Sequence, residues 1–469
     1  MNIVFRLFNY LFVCSLLSAA MLVSGQNGSA LYQQNCAQCH GADLDGGNAA
    51  SLIDGIWQFG ADNGYLFRNI KFGIAHLGMP SYEKSLKDTE IRVLIEYIRE
   101  AEKNVGAVKP PIAKHLETLD YDLAVEVFAD GLEVPWAIDF TDENTALITE
   151  RPGRLRVVEN GVLQKEPVAN TPKVLSEGQG GLLDVAIDPD YAENGWIYLA
   201  YSHALESVGS RRPPAMTRIV RGKIKNNVWV DEQVLYEAPH STYRTTRHHY
   251  GCRIVFDPQG YLYFAIGERG YQDMAQDVTL PNGKVHRIFP DGRVPADNPF
   301  FKEKNAMKTL YSLGNRNIQG MAIHPETGEL WVTEHGPMGG DELNRIEAGR
   351  NYGWPVITYG RNYNGSIITE ETHKAGMEQP VYYWKPSTAV CGLDFYRGNL
   401  FPKWKNKLLV GALKYEQVSL LDVEADRVMH EEIILKNQGR VRDVSTGPDG
   451  AIYVVLNQPG TVLRLTPSD

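Results

Sequence analysis

The sequence predicts two domains, a small all-α domain followed by an all-β domain built as a six-bladed β-propeller. Three observations lead to this prediction: a length of 469 residues, a helical periodicity confined to the first quarter, and short apolar strands separated by turns after it. The predicted boundaries are residues 1–25 for a signal peptide, 26–108 for the helical domain, 109–120 for a linker and 121–469 for the propeller.

The N-terminal segment has the pattern of an export signal. Arg6 precedes an apolar stretch from Leu7 to Leu22, and the small residues around Ser24 suit cleavage by a signal peptidase. A membrane-spanning helix needs about 20 apolar residues, so this shorter stretch favours a cleaved signal over a retained anchor. We therefore expect a periplasmic protein.

The composition restricts the class of partner. Asp and Glu outnumber Lys and Arg by 57 to 47, which gives a formal net charge of −10. Because binding to nucleic acid requires a basic face, no nucleic-acid partner is expected. The 44 glycines and 25 prolines indicate many turns, as in a mostly β protein.

The helical domain ends in the most regular helix of the sequence. Apolar residues recur at helical spacing from Ile91 to Ile98, and Asp88 is placed to cap this helix. The Pro110-Pro111 pair then breaks regular structure, which marks the linker.

Beyond residue 120 a loose repeat recurs, in which an apolar strand leads through a turn to a second apolar strand. The turns contain Asp188-Pro189, Asp257-Pro258, His324-Pro325 and Asp449-Gly450. Repeats of this length with two to four strands each are typical of propeller blades, and about six fit the sequence. A β-sandwich is the alternative fold for such a pattern.

Cys36-Ala37-Gln38-Cys39-His40 has the spacing of a covalent haem c attachment motif. Cys36 and Cys39 are placed to add to the two vinyl groups of one porphyrin, while His40 reaches the iron. The alternative is a dithiol beside an incidental histidine. Haem c is the first predicted cofactor.

The sixth iron ligand is expected from a loop before the last helix. Met79 is the only methionine between the signal and the linker, and a thioether raises the haem potential, which suits an electron acceptor. His76 is the competing ligand, and ordinary core packing is the alternative role for Met79. From Ala30 to Lys103 the segment resembles a class I cytochrome c domain.

The long domain contains a series of short motifs: Gly178–Leu183, His249–Arg253, Gly283–Val285, Gly314–Asn317, Glu334–Pro337 and Asn351–Pro355. Together they resemble the PQQ-dependent sugar dehydrogenases, and most closely the aldose sugar dehydrogenase branch, also called glucose/sorbosone dehydrogenases. The similarity extends from Gly131 to Thr466.

This resemblance implies sites for pyrroloquinoline quinone (PQQ), calcium and a sugar. The catalytic positions it implies are His249 and Arg316. The PQQ-binding residues it implies are Arg316, Asn317, Lys414, Arg440 and Arg442. The substrate-pocket residues are Gln179, Glu268 and Trp384. The calcium ligands are Gly336 and Pro337 for an ion that contacts PQQ, and Glu342 and Tyr352 for a second ion.

Three features depart from the better-known glucose dehydrogenases of this family. His335 stands where those enzymes carry Gln, Glu268 replaces a shorter Asp, and no long insertion lies near Trp384. With the fused haem domain, these departures leave the sugar preference and the oligomeric state open.

The chemistry of the residues agrees with this resemblance. PQQ carries three carboxylates, so its pocket needs positive charge. Strand alternation puts Arg440 and Arg442 on one face. Taken alone, each of these arginines would ordinarily be a solvated surface residue. His249 suits a general base because the pKa of imidazole lies near neutrality. His248 is the alternative base, and the motif register favours His249. Bound calcium would polarise a quinone oxygen.

The leading hypothesis is a periplasmic quinohaemoprotein that oxidises an aldose at C1 to its lactone. Electrons would pass from PQQ to haem c and then to a downstream acceptor, either a soluble cytochrome or a respiratory-chain component. A calcium-dependent lactonase-type propeller is one alternative, but it leaves Lys414, Arg440 and Arg442 without a cofactor to hold. A non-enzymatic electron carrier is another, and it leaves the clustered His, Arg and calcium-loop residues unexplained.

Two cysteines remain outside the signal and the haem motif. Cys252 and Cys391 lie far apart in the sequence, and the export signal permits a disulfide between them. Two buried free thiols are the alternative.

Overall fold

The structure is a computed structural model that describes residues 28–46, 49, 51–53, 57, 63–74, 78–105, 112–205 and 212–468. It forms two compact units that divide between Ile112 and Ala113. The predicted signal peptide, the alternative iron ligand His76 and the Pro110-Pro111 pair lie outside the described residues. Within the described ranges, no helix has both the length and the apolar character needed to cross a membrane.

The first unit is helical, as predicted. Its helices are α1 (28–35), α2 (Ala37–His40), α3 (Asn63–Phe72) and α4 (Asp88–Val105). The apolar face predicted for α4, from Ile91 to Ile98, is buried in one core with Leu66 and Ile70 of α3. The periodicity of the sequence therefore identified the packed face of this helix.

The start of α4 differs from the prediction in one detail. Asp88 is the first helical residue rather than the cap, and its carboxylate pairs with the Lys71 ammonium at 2.8 Å. Glu90 accepts a hydrogen bond of 2.7 Å from the backbone N–H of Lys87. This contact is half of a capping box, in which a carboxylate in the first turn reaches back to the residue before the helix.

The second unit is a six-bladed β-propeller, which confirms the predicted fold class. Blade 1 contains β3 (Pro135–Asp142), β4 (Thr145–Glu150), β5 (Arg154–Glu159) and β6 (Val162–Leu163). Blade 2 contains β7 (Leu182–Ile187), β8 (Ile197–Ala204), β9 (Ala215–Lys225) and β10 (Val228–Glu237), with the short helix α5 (Tyr191–Asn194) after β7. Blade 3 contains β11 (Ile254–Phe256), β12 (Leu262–Ile266), β13 (Lys284–Ile288) and β14 (Leu310–Leu313).

The other three blades follow the same antiparallel order. Blade 4 contains β15 (Ile318–Ile323), β16 (Leu330–Glu334), β17 (Asp341–Ile346) and β18 (Tyr382–Trp384). Blade 5 contains β19 (Val390–Phe395), β20 (Leu408–Ala412), β21 (Gln417–Glu424) and β22 (Arg427–Lys436). Blade 6 contains β23 (Arg440–Thr446), β24 (Ile452–Gln458) and β25 (Thr461–Pro467), to which β2 (Asp122–Ala129) and β1 (His115–Glu117) add.

The N-terminal strands of this unit close the ring, because β2 pairs with the C-terminal strand β25. β1 lies inside the range predicted as linker and pairs with β2, with Leu116 opposite Leu123. The linker prediction of 109–120 therefore extended too far. A three-residue strand at a sheet edge has too short an alternation to be recognised from sequence.

In three blades the turn residues of the sequence repeat bond the first strand to the second. The Asp257 carboxylate accepts the backbone N–H of Gln259 at 3.0 Å and the phenol of Tyr263 at 3.1 Å. The same Asp–Tyr contact recurs between Asp188 and Tyr198 at 2.7 Å and between Asp449 and Tyr453 at 3.1 Å. The repeat was visible because this contact requires the same residue types in several blades.

Buried aspartates join neighbouring blades. The Asp139 carboxylate of blade 1 accepts the backbone N–H of Ile187 in blade 2 at 2.8 Å. The same type of bond joins Asp184 to Ile254, Asp394 to Thr446 and Asp443 to Ile138. Burial raises the pKa of Asp139 to about 6 and that of Asp184 to about 7. The Asp443 bond runs from blade 6 to blade 1 and so contributes to closing the ring.

Candidate active site

A cavity of about 560 Å³ receives residues from all six blades. Its lining residues are Val134, Trp136, Arg151, Gln179, Leu183, Tyr250, Gly251, Cys252, Gln319, His335, Ala389, Leu413, Arg440, Arg442, Asn457 and Gln458. Three of these carry guanidinium groups and none is acidic. The cavity therefore has a net positive wall in a chain that is acidic as a whole.

A repeated irregularity of the inner strands directs side chains into this cavity. In blades 1, 4 and 6, one residue of the first strand has no partner on the second strand. It stands at the corresponding position in each blade. These residues are Trp136, Gln319 and Arg442, and all three line the cavity. Such bulges turn a side chain out of the regular alternation.

The residue that follows the paired end of the second strand forms a second layer of the wall. In blades 1, 4 and 5 these residues are Arg151, His335 and Leu413. In blade 6 the equivalent residue is Asn457, which stands at a bulge between the paired residues Leu456 and Gln458. All four line the cavity. The same structural position therefore lines the cavity in four blades, with a different side chain in each.

The predicted base His249 is held by two predicted pocket residues. Its Nδ1 lies 2.6 Å from Oε1 of Glu268, and its backbone N–H donates to Oε1 of Gln179 at 2.8 Å. The other Glu268 oxygen accepts the backbone N–H of Gly270. Because the carboxylate holds a proton on Nδ1, Nε2 is left as the basic nitrogen, and no described residue hydrogen bonds to it.

The electrostatics keep this imidazole uncharged at neutral pH. Burial lowers the pKa of His249 to about 4, against the opposing effect of the Glu268 hydrogen bond. Burial alone would raise the pKa of Glu268, but the hydrogen bonds from His249 and Gly270 and the nearby Arg316 charge together outweigh it, and the carboxyl pKa is lowered. The pair therefore consists of a neutral imidazole and an ionised carboxylate.

The backbone at His249 is strained. His249 has φ +56° and Cys252 has φ +89°, values that residues other than glycine rarely adopt. Between them Gly251 has φ +68°, and a Cβ there would lie 2.7 Å from the carbonyl oxygen of Ala265. Strain of this kind is typical of functional loops.

The alternative base His248 is oriented differently. Its ring packs edge-on against the His249 ring, with 4.5 Å between the centroids. It also lies close to Gly270, where a Cβ would approach the His248 Nε2 to 2.4 Å. The Glu268 hydrogen bond goes to His249, which supports the choice made from the motif register.

Arg316 connects the base to the loop predicted to bind calcium. Its carbonyl accepts the backbone N–H of Glu268 at 2.9 Å, and its own N–H donates to the Glu334 carboxylate at 2.6 Å. Its guanidinium donates to the His335 carbonyl at 2.7 Å. Next to it, Asn317 accepts the Gly251 N–H through Oδ1 at 3.2 Å.

Arg442 is one of the residues that line the cavity. It donates to Oε1 of Gln319 at 2.8 Å, and its guanidinium lies 5.4 Å from the ring centroid of Trp136. Burial lowers the pKa of Arg442 to about 10. The neighbouring Arg253 takes up the nearby carboxylates, with ion pairs of 2.9 Å to Asp184 and 2.8 Å to Asp443. In the described chain no carboxylate pairs with Arg442.

Several buried polar atoms around the cavity have no hydrogen-bond partner within the described residues. They are Arg151 Nε, Arg316 Nε, Asn317 Nδ2, Arg442 Nε, Tyr250 Oη, His335 Nε2 and Asn457 Oδ1. Buried polar groups are rarely left unpaired, and four of these atoms are obligate donors. The arrangement fits a ligand rich in acceptor oxygens, such as the carboxylates and quinone oxygens of PQQ.

Three of the predicted site residues line the cavity itself, namely Gln179, Arg440 and Arg442. Trp384 and Lys414 are among those that lie outside the lining. Trp384 is only 6% exposed, packs in a core cluster with Trp331, and donates its indole N–H to Glu431 at 3.2 Å. The structure therefore gives it a packing position and not the pocket wall expected from sequence. Lys414 is half-buried and follows the lining residue Leu413.

The predicted calcium loop fits a cation at one place and not at another. The Pro337 carbonyl already accepts the Ser387 hydroxyl at 2.7 Å and the Gly340 N–H at 3.2 Å, which occupies both lone pairs. The backbone N–H of Gly336 donates to Asp341 at 3.0 Å. As described, Pro337 is therefore not free to coordinate calcium.

Glu342 stands directly opposite Glu334 on the paired strands β16 and β17. Burial and the charge of Glu334 raise the pKa of Glu342 well above its usual range. Two opposed buried carboxylates need a proton or a cation between them. No cluster of three or more His, Cys, Asp or Glu suited to a metal occurs among the described residues, so a calcium ion here would also need carbonyl ligands such as that of Tyr352.

In the first unit, the haem motif and the predicted sixth ligand meet at the same core. Cys36 and Met79 both pack against the apolar cluster of this unit, and Cys36 and Cys39 are free thiols. Two tyrosines brace the motif, since Tyr82 donates to the Asn35 carbonyl at 2.5 Å and Tyr32 to the Gly41 carbonyl at 2.6 Å. A thiol beside an apolar core fits attachment to a porphyrin edge.

Cys252 and Cys391 are both buried free thiols, which is the second of the two outcomes considered from sequence. Cys391 donates its S–H to the Val441 carbonyl at 2.8 Å, and Cys252 lines the cavity. Sequence reasoning did not identify Arg151, Trp136 or Gln319. For Arg151 a signal exists, because Thr149-Glu150 precedes it as Thr333-Glu334 precedes His335.

Comparison with protein families gives two matches. A family described as "Glucose / Sorbosone dehydrogenase" matches residues 132–464. A second, described as "Cytochrome C oxidase, cbb3-type, subunit III", matches residues 24–98.

Individual relatives agree with the first match. "Aldose sugar dehydrogenase YliI" of Escherichia coli (strain K12) is 42% identical over 351 residues, which cover 73% of this chain and 92% of the relative. The crystal structure of the soluble aldose sugar dehydrogenase of Escherichia coli in the apo-form is 40% identical with a TM-score of 0.69, covering 74% of this chain and 100% of that one. The PQQ-bound aldose sugar dehydrogenase of Streptomyces coelicolor is 25% identical with a TM-score of 0.58, covering 74% and 98%.

Proposed function

The chain belongs to the glucose/sorbosone dehydrogenase family, and we propose that it is a periplasmic quinohaemoprotein that oxidises an aldose at C1 to its lactone. The observation that carries this proposal is the neutral His249, held by Glu268 and Gln179 beside a cavity whose charged lining residues are all arginines. The predicted signal peptide supports export to the periplasm.

His249 is the base of the proposed reaction. Its Nε2 takes the proton of the C1 hydroxyl, and Glu268 stabilises the imidazolium that forms through the bond to Nδ1. Gln179 keeps its amide N–H₂ group for sugar oxygens, because its carbonyl oxygen already accepts the His249 N–H. When bound, PQQ supplies the quinone carbon that takes the hydride from C1.

The basic residues would hold the cofactor. Arg440, Arg442 and Lys414 are proposed to bind its carboxylates, while Arg316 and Asn317 bind the quinone side. Calcium is proposed between Glu342 and the Tyr352 carbonyl, since the Glu334–Glu342 pair fits a cation. A calcium ion that contacts PQQ through Gly336 and Pro337 would require the Ser387 bond to Pro337 to open.

The first unit would carry haem c on Cys36 and Cys39, with His40 and Met79 as iron ligands. When bound, the haem iron supplies a one-electron acceptor, from which electrons pass to a soluble cytochrome or a respiratory-chain component. Joining donor and acceptor in one chain raises their effective concentration, so the transfer does not wait for diffusion.

Reconstitution tests this proposal. Apo-protein should be inactive and should recover aldose oxidation when PQQ and Ca²⁺ are added together, whereas NAD should have no effect. In stopped-flow experiments on the loaded protein, sugar should reduce the haem at a rate independent of protein concentration. Aldose oxidation without PQQ would contradict the proposed reaction, and a rate proportional to protein concentration would contradict transfer within one chain.

A further inference from the structure

Arg151 is a charged residue of the cavity wall that neither the sequence motifs nor the family resemblance assigns. It follows β4 at the position that His335 occupies after β16 and Asn457 occupies after Leu456 of β24. All three equivalent residues line the cavity. The fold therefore places the Arg151 side chain at the ligand volume, in contrast to Arg154 and Arg156 of β5, which pair with Glu150 and do not line the cavity.

Arg151 has no acidic partner in the described part of the chain. The carboxylate next to it in sequence, Glu150, is already paired with Arg154 at 2.5 Å and with Arg156 at 3.5 Å. The Nε atom of Arg151 is buried without a hydrogen-bond partner, and burial lowers the pKa of this guanidinium. The side chain as a whole is half-buried, and a guanidinium whose buried Nε lacks a partner at a cavity wall indicates an acceptor, such as an anion, among the ligands.

The charge of the cavity leads to the same conclusion. Arg151, Arg440 and Arg442 contribute three guanidinium groups, and the lining residues contribute no carboxylate. Lys414, the third carboxylate-binding residue expected from the resemblance, is not among the lining residues. The wall therefore offers one guanidinium more than the resemblance assigns.

We propose that Arg151 binds a carboxylate of the ligands that occupy this cavity. The inference rests on the proposed function, whose cofactor carries three carboxylates. A guanidinium presents two parallel N–H groups to a carboxylate, and its planar fork makes the pair directional. The carboxylate belongs either to PQQ or to an acidic sugar such as a uronate, which would extend the substrate class beyond neutral aldoses.

The test uses Arg151→Gln and Arg151→Lys in the full chain, with Arg154→Gln as the matched control. Arg154 lies three residues away, and Arg154→Gln removes the same charge as Arg151→Gln. The Arg154 side chain pairs with Glu150 and Glu133 outside the cavity. PQQ is titrated calorimetrically into each apo-protein in the presence of Ca²⁺. The KM values for glucose and for glucuronate are then measured at saturating PQQ.

If the carboxylate belongs to PQQ, Arg151→Gln should weaken PQQ binding about 10- to 100-fold, the range of a lost charge-assisted hydrogen bond. If it belongs to the sugar, PQQ affinity should stay constant while the KM for glucuronate rises by a similar factor and the KM for glucose does not. Arg151→Lys should recover part of either loss, and Arg154→Gln should match the wild type.

PQQ affinity and both KM values unchanged in Arg151→Gln would overturn the inference. Should that variant fail to fold, Arg151→Met with wild-type values for all three quantities has the same meaning, since it keeps much of the side-chain length and removes the charge. Wild-type protein that binds no PQQ would instead overturn the proposed function.

Discussion

Replacing Glu268 with Gln tests how much the negative charge beside His249 contributes to proton removal by this proposed base. The His249 Nδ1–Glu268 contact of 2.6 Å raises the pKa of His249 against the larger effect of burial, which brings it to about 4. This pKa lies below the ordinary value near 6.5, so the site disfavours the charged imidazole by about 3 kcal/mol. Without the carboxylate, the imidazolium formed during proton transfer loses its stabilising partner, so the barrier for proton removal rises.

The expected pH dependence follows from the sign of this shift. His249 acts as a base only when it is unprotonated, so kcat/KM of the wild type should remain level above pH 5 and fall with a midpoint of about 4. In Glu268→Gln the midpoint should move lower still, because the contact that raised the His249 pKa is gone. Turnover at pH 7 should fall about 10²-fold or more, and His249→Ala should lose about 10²- to 10⁴-fold.

The assay is dye-linked sugar oxidation between pH 3.5 and 8 by the PQQ-loaded and Ca²⁺-loaded protein, with PQQ affinity measured in parallel. His248→Ala is the matched control, since its ring touches His249 but does not receive the Glu268 bond. It should keep most of the turnover. An acidic limb near pH 6.5 in the wild type, or near-normal turnover in His249→Ala, would refute the reasoning.

Three further predictions concern the cofactors and the scaffold. Without calcium, Glu342→Gln should melt at a higher temperature than the wild type at pH 7, because folding raises the pKa of Glu342 at a cost in stability that an amide does not have. Its melting temperature should no longer rise on adding Ca²⁺, and melting curves with and without chelator test both points. Protein matured with haem c should keep its colour after acid–acetone extraction, and Cys39→Ser should weaken this retention, while Met79→Ala should lower the haem potential in a redox titration. Lys284→Met should reduce the free energy of unfolding in urea by about 3–5 kcal/mol, because the three carbonyls to which the Lys284 ammonium donates would lose their donor. Lys302→Met, on an exposed turn, should change the free energy of unfolding little.

Much of the fold could be predicted because its repeated contacts require particular residue types. The Asp–Tyr bond that joins the first two strands of a blade, as between Asp257 and Tyr263, produced a repeat that was legible as sequence. The family motifs and the cytochrome-like segment were likewise confirmed by the family matches. Short edge elements were not predictable, because β1 has only three residues and its role depends on a strand more than 300 residues away in blade 6.

Site residues that belong to a sequence motif could be predicted, whereas residues that only the propeller geometry brings to the cavity could not. His249 and Glu268 lie in two loops of blade 3 and Gln179 precedes blade 2, and the structure joins them by hydrogen bonds of 2.6 and 2.8 Å. Trp384 was misplaced because an aromatic residue after a loop has the same appearance in sequence whether it faces a pocket or a core. Its burial is decided by β18 pairing with β17, a contact between residues some 40 positions apart.

The Gly283-Lys284 signature shows how a motif without chemistry of its own can still serve the site. The Lys284 ammonium donates to the carbonyls of Met274, Ala275 and Asn282 at 2.7–2.8 Å, and so fixes the segment around residue 275. The loop that contains Arg316 is hydrogen bonded to this region. The backbone N–H of Gly314 donates to the Ala275 carbonyl at 3.0 Å, and that of Asn315 donates to the Gly283 carbonyl at 3.1 Å. Arg316 in turn accepts the backbone N–H of Glu268. A buried lysine distant in sequence from the base therefore supports the position of the carboxylate that holds the base.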